Sequence, residues 1–390
     1  MASSVSSPST ASSSRADPAP TLFVCLFAVQ ASIIALSPVL AEVAADFNVS
    51  TAAAGQLRTA SGLVAGLVAL GMGRLSARLG LRELLLTGLG ILGFASLLSA
   101  AAPSFAVLAV AQVALGAGLA IVLSAGLAAA ADWAVPAQRA RVLSWALLGQ
   151  PAAWIVGMPV IGLLGVVSWR WGWVAVPFLA SVLAAAMVLS QPTDDVREPR
   201  ARTWRLLSDD ADVAGWALGE LFAWAAWAGA LVYAGALFVE TYGVGTGTAG
   251  VLLGAAAVAY LPGNLLGRRM IGAHARLLAA SVPPIAALLV AVFGALRPSL
   301  AFSAATFALL AFVVAARTIA GSALGLEVCE QRRTFAMRVR TAATQFGYLL
   351  GSALGGAALA VGGYTALGFA FAAMFALAAV PHVLVLLGRA

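Results

Sequence analysis

Lysine is missing altogether: all 22 basic residues among the 390 are arginine. Charged residues of either sign make up only 9% of the chain, against roughly 25% in a soluble domain, while 62% is apolar. A soluble protein with this composition would have too few polar side chains to cover its surface, so lipid is expected to solvate much of the chain. Cysteine is scarce as well. Cys25 and Cys329 lie far apart in separate apolar runs, which excludes a disulfide framework and a thiolate metal site. The two histidines, His274 and His382, are too few for a His-based metal site and read as structural or interfacial. There is no glycine-rich phosphate loop with its lysine and no nucleophile–base motif, so no catalytic residue, metal or bound cofactor is expected. The formal net charge of +7 does not indicate nucleic acid, because the arginines sit in short gaps between apolar runs and build no continuous basic face.

What is abundant is apolar sequence in runs long enough to cross a bilayer, for which about 20 residues suffice. Residues 1–20, rich in Ser, Ala and Pro, read as a disordered tail. The next run reads as a first span and not as a signal peptide, since eleven similar runs follow it. The spans are placed at 21–41, 51–73, 82–102, 105–131, 142–164 and 170–190, then at 213–239, 247–268, 277–296, 300–326, 339–361 and 364–388. A charged stretch at 191–212 separates two halves, 21–190 and 213–390, and reads as a solvated cytoplasmic linker. With an even span count, eighteen arginines fall in one set of loops and tails and only Arg170 and Arg297 in the other. The positive-inside rule then puts both termini in the cytoplasm, with the chain multi-pass in the cytoplasmic membrane. The expected fold is all-α integral membrane: twelve transmembrane helices in two pseudo-symmetric six-helix bundles.

The halves echo one another. Gly73-Arg74 and Arg82 recur as Gly267-Arg268 and Arg276; Gln112, Gly116 and Ala120 as Arg317, Gly321 and Gly325; and Arg139, Arg141 and Gly157 as Arg338, Arg340 and Gly356. Three matches in the same order indicate a duplicated unit, an arrangement that places a substrate site between repeats.

The loop between the second and third spans reads Gly73-Arg74-Leu75-Ser76-Ala77-Arg78-Leu79-Gly80-Leu81-Arg82. It resembles the signature loop of the major facilitator superfamily, Gly-x-Leu-Ala-Asp-Arg-x-Gly-Arg-Arg, with Ala77 in place of the acid and Leu81 in place of one arginine. The fifth span carries Gly157-Met158-Pro159-Val160-Ile161-Gly162, where Pro159 and Gly162 keep the register of the drug:proton antiporter motif. In the fourth span, Gln112 stands where that branch has arginine. The resemblance extends over the whole chain and is nearest to the drug:proton antiporter and sugar-efflux branch. It implies alternating access, with Gly73, Arg74, Arg78, Gly80, Arg82, Pro159 and Gly162 as conformational residues.

Charges inside spans point to the work, because each costs about 2.5–3.5 kcal/mol at mid-bilayer on insertion scales. Glu220 is the candidate proton carrier. It shares a helical face with Trp216, Trp224, Trp227 and Leu231, an acid on an aromatic stripe that also suits a lipophilic cation. Arg58 and Arg317 are read either as clamps for an anionic substrate or as counter-charges to Glu220. Gln30, Gln112, Gln150 and Trp154 are further cavity candidates. Glu42, Asp46 and Glu240 at the outer ends, and Asp132, Glu327 and Glu330 at the inner ends, are expected at interfaces or gates. The leading expectation is proton-driven export of a drug-like or natural-product compound by a monomer in the lipid bilayer, with the proton gradient in place of a cofactor. Import or facilitation of a sugar or organic anion is the alternative; a membrane receptor or membrane-embedded enzyme ranks below both.

Overall fold

The computed structural model describes residues 17–193, 210–270, 274–329 and 333–388. Nearly all of the expected tail, most of the expected linker and Glu330 lie outside these residues. Helices of the first half are α1 (Pro18–Ile34), α2 (Thr51–Leu75), α3 (Leu81–Ala100), α4 (Phe105–Asp132), α5 (Pro136–Gly165) and α6 (Trp169–Leu189). Those of the second are α7 (Ala211–Tyr242), α8 (Thr246–Met270), α9 (Ala275–Ala295), α10 (Leu300–Val328), α11 (333–361) and α12 (364–388). Short polar residues start many of them. Asp17, Ser50, Ser104, Ser168, Asp210 and Ser299 each accept a bond from a backbone N–H in the first turn. The last two helices run on without a loop. They are separated only where Gly362 and Gly363 leave helical geometry, Gly363 at φ +62°, a conformation that side-chain-bearing residues rarely adopt.

The spans match the expected ones with two corrections. The first is not a single helix over 21–41: α1 ends at Ile34, the chain bends across Ala35–Val39 around Pro38, and a short helix, Leu40–Asp46, resumes. The fifth and sixth spans each contain a wider turn, Ala153–Gly157 and Val174–Phe178. Pro151 and Pro177, which cannot donate to the helical ladder, stand beside or within these turns.

Large apolar side chains such as Phe94, Val110, Leu288 and Leu384 are more than 60% exposed on the outer faces of their helices. They form a surface suited to hydrocarbon and not to water. Between the halves, α2 packs on α11 and α5 on α8 through glycines that let backbones touch. A Cβ on Gly162 would stand 2.8 Å from the Gly250 Cα, and one on Gly62 would stand 2.7 Å from the Leu349 nitrogen. Bonds between the halves gather at the face opposite the arginine-rich loops. Thr246 donates to Glu42, Thr51 donates to Glu240, and the Gln56 amide reaches the Ser352 carbonyl at 3.3 Å. Gly235 lies against the carbonyl of Ser37. At the arginine-rich face the described hydrogen bonds and ion pairs stay within one half: Arg141 with Asp17 at 3.0 Å, Arg276 with Asp212 at 3.3 Å, and Arg82 with the Leu189 carbonyl. Among the described residues, the side-chain bonds that join the ends of the two halves thus gather at the arginine-poor face.

Candidate transport site

The buried charges converge from three helices of the second half. Glu220 on α7 is fully buried, with its Oε1 2.7 Å from Arg317 Nη1 on α10 and its Oε2 3.5 Å from Arg340 Nε on α11. Arg317 also donates from Nη2 to the Gly219 carbonyl at 2.8 Å. The spacing Arg317-x-x-x-Gly321-x-x-x-Gly325 makes this possible. A Cβ on Gly321 would fall 1.9 Å from Glu220 Oε1, and one on Gly325 would fall 2.2 Å from the Trp216 ring. Trp216 is thereby locked inside the half, its Nε1 donating to the Gly321 carbonyl at 2.8 Å. On α12, His382 is 1% exposed and stands against Gly219, next to Glu220 in sequence. Low surrounding polarity makes such a cluster costly to break; removing one partner of a buried pair typically costs about 3–5 kcal/mol.

Nearer the middle of the spans, aromatic rings from both halves meet. Trp154 on α5 stands edge-on to Tyr260 on α8, with centroids 4.9 Å apart, and to Trp227 on α7 at 6.2 Å. Trp227 in turn stacks on Phe307 of α10 at 5.7 Å. The indole nitrogens of Trp154 and Trp227 are buried without a partner, so this aromatic box keeps unused donors. Tyr260 donates to Thr318 at 3.2 Å and is an electrostatic neighbour of Arg317, Arg340 and Tyr348, which joins the box to the charged cluster.

Arg58 stands apart from the other charges. It is on α2 in the first half, 1% exposed, with its Cζ 4.8 Å from the ring centroid of Tyr348 on α11. Tyr348 also neighbours Gln30 of α1, so Arg58, Gln30 and Tyr348 form a junction between the halves. Gln112 does not join them. It is fully buried between α3 and α4 and donates to Ser99 at 3.1 Å, which takes it out of the central space. Gln150 lies half-buried on α5, one turn before Trp154. The expected aromatic stripe on α7 is divided, because that helix is buried on every side from Ala225 to Phe238. Trp216 faces inside its own half, Trp224 lies by Arg340 with 6.0 Å from Cζ to the ring centroid, and only Trp227 reaches the other half.

The family model of the Major Facilitator Superfamily matches residues 22–316. The chain belongs to this superfamily. It is a membrane transporter and not an enzyme. An uncharacterized MFS-type transporter of Bacillus subtilis (strain 168), YbcL, is 25% identical over 179 residues, 46% of each chain, so the match spans under half the length of that curated relative. Solved structures share the fold over nearly the whole chain. A bacterial homologue of the human lysosomal transporter Spinster, inward-facing and occupied, superposes with a TM-score of 0.74 at 15% identity, covering 96% of this chain and 97% of that one. A D-xylose–proton symporter gives 0.74 at 16% identity over 93% and 96%, and the nucleoside transporter NupG (D323A mutant) gives 0.72 at 13% over 94% and 98%.

Within this superfamily fold, the signature loop lies at the arginine-rich face. Arg74 and Arg78 are exposed there, and a Cβ on Gly73 would meet nothing within 4 Å. Gly80 caps α3, its N–H donating to Glu83 at 3.2 Å. Pro159 and Gly162 lie on the α5–α8 crossing, Pro159 against Gly254 and Gly162 against Gly250. Sequence reasoning missed Arg340, counted as a loop charge, and the uncharged Tyr260, Phe307 and Tyr348. For Arg340 the internal repeat pairing it with Arg141 was the available signal; for the three aromatics, spacing along a single helix carries none.

Proposed function

We propose that this chain is a proton-coupled carrier that exports a small, flat, partly apolar compound across the cytoplasmic membrane by alternating access. The observation that carries the reading is Glu220, buried and held by Arg317 and Arg340 from two other helices beside the aromatic box. With its charge, Glu220 ties α7 to α10 and α11. Once protonated it leaves two guanidiniums facing each other, with His382 and Tyr260 as the other titratable neighbours, and the attraction between these helices becomes repulsion. Trp227 and Phe307, carried on α7 and α10, would then shift with the protonation state. Among the described residues, bonds between the halves gather at the arginine-poor face, which fits a carrier open to the cytoplasm with the arginine-rich loops on that side. The neighbour named as a D-xylose–proton symporter supports proton coupling on this fold, and Pro159 and Gly162 at the α5–α8 crossing support export by the motif they resemble. Both repeats lie in one chain, so a monomer is the proposed working unit.

The test is made in everted vesicles carrying an inward-acidic pH gradient. Wild type is expected to collapse the gradient when its substrate is added, and Glu220→Gln to abolish that response. The double variant Glu220→Gln/Arg317→Met removes opposite charges together and serves if the single variant misfolds. Undiminished collapse in both variants would overturn the role of Glu220.

A further inference from the structure

Arg58 differs from every other buried charge in the described residues by having no acid to answer it. Its three side-chain nitrogens are buried without a hydrogen-bond partner, while Arg317 and Arg340 share Glu220. The neighbour that faces Arg58 is the Tyr348 ring, which attracts a cation but accepts none of the five N–H bonds that a guanidinium can donate. Gln30, behind that ring, also buries an unpartnered amide nitrogen. Donors therefore accumulate at the junction of α1, α2 and α11, and those of Arg58 find no acceptor. The balance of charge points the same way: Arg317 and Arg340 already share the one buried carboxylate, Glu220, and Arg58 adds a third guanidinium apart from it. A lipophilic cation would enter a field of its own sign. A guanidinium fork, in contrast, matches the two oxygens of a carboxylate or phosphate.

We propose that Arg58 anchors the anionic head of an organic anion, a carboxylate or phosphate monoester. This rests on the transport reading above and narrows its substrate class. Because Arg58 belongs to one half and Tyr348 to the other, an anion held there would bear on how the two halves meet.

Equilibrium binding to the purified full-length protein tests this with matched pairs: benzoate against benzamide, indole-3-acetate against indole-3-acetamide, and phenyl phosphate against phenol. Wild type is expected to bind at least one acid about tenfold or more tighter than its neutral partner. Arg58→Gln should bring that ratio close to one. Gln30→Glu, which places an acid at the junction and removes no cation, should also lower the ratio and guards against misfolding of the first variant. A wild type that prefers none of the three anions, or a preference that survives in both variants, overturns the proposal. Binding is read without membrane or gradient, so failure here leaves coupling through Glu220 standing, and failure of the vesicle test leaves the charge preference standing.

Discussion

Gly321 is the residue on which the charged cluster depends most closely, since any side chain there would occupy the place of the Glu220 carboxylate. Gly321→Ala is expected to destabilise the protein by about 1–3 kcal/mol through overpacking, read as a lower thermal unfolding midpoint. It should also weaken transport more than the like change at Gly73, which has open space around it. The spacing of Arg317, Gly321 and Gly325 was legible in the sequence, but its reason was not. The groups that need the room, Glu220 and Trp216, stand on another helix, and one sequence shows periodicity along a helix without showing what it faces. The same limit explains Arg340. At the edge of an apolar run an arginine reads as an inside charge, and only packing shows it reaching inward to Glu220.

At the scale of helices, the contact between halves is built from backbone approaching backbone. Gly162 and Gly250 cross closely enough that a larger side chain on either must separate α5 from α8. Gly162→Val is expected to leave helix content unchanged and to cut the initial transport rate by about tenfold or more, as a lost close crossing is not recovered by side-chain rotation. Circular dichroism and transport assays on one preparation would separate these effects. Composition and run length were sufficient for the twelve spans, because lipid demands long apolar helices whatever their partners. The bend after Ile34 escaped that reading, as Pro38 interrupts a run whose hydropathy does not change. The division of the α7 tryptophans escaped it too: a helix buried on all sides has no single face for a stripe to mark.

For the whole molecule, the two faces differ in what joins the halves. Glu42 with Thr246 and Glu240 with Thr51 fasten the arginine-poor face, while the described ion pairs of the arginine-rich face stay within a half. A carrier that alternates must exchange this pattern, and on the reading proposed above the proton on Glu220 biases the exchange. Double electron–electron resonance tests this most directly. One spin-label pair at Arg78 and Met270 spans the arginine-rich face, and one at Val167 and Val361 spans the opposite face, all four being exposed. At one fixed pH, Glu220→Gln, which cannot carry the charge that holds Arg317 and Arg340, is predicted to shift the two distance distributions in opposite directions from wild type. Distributions identical in wild type and variant would contradict the account.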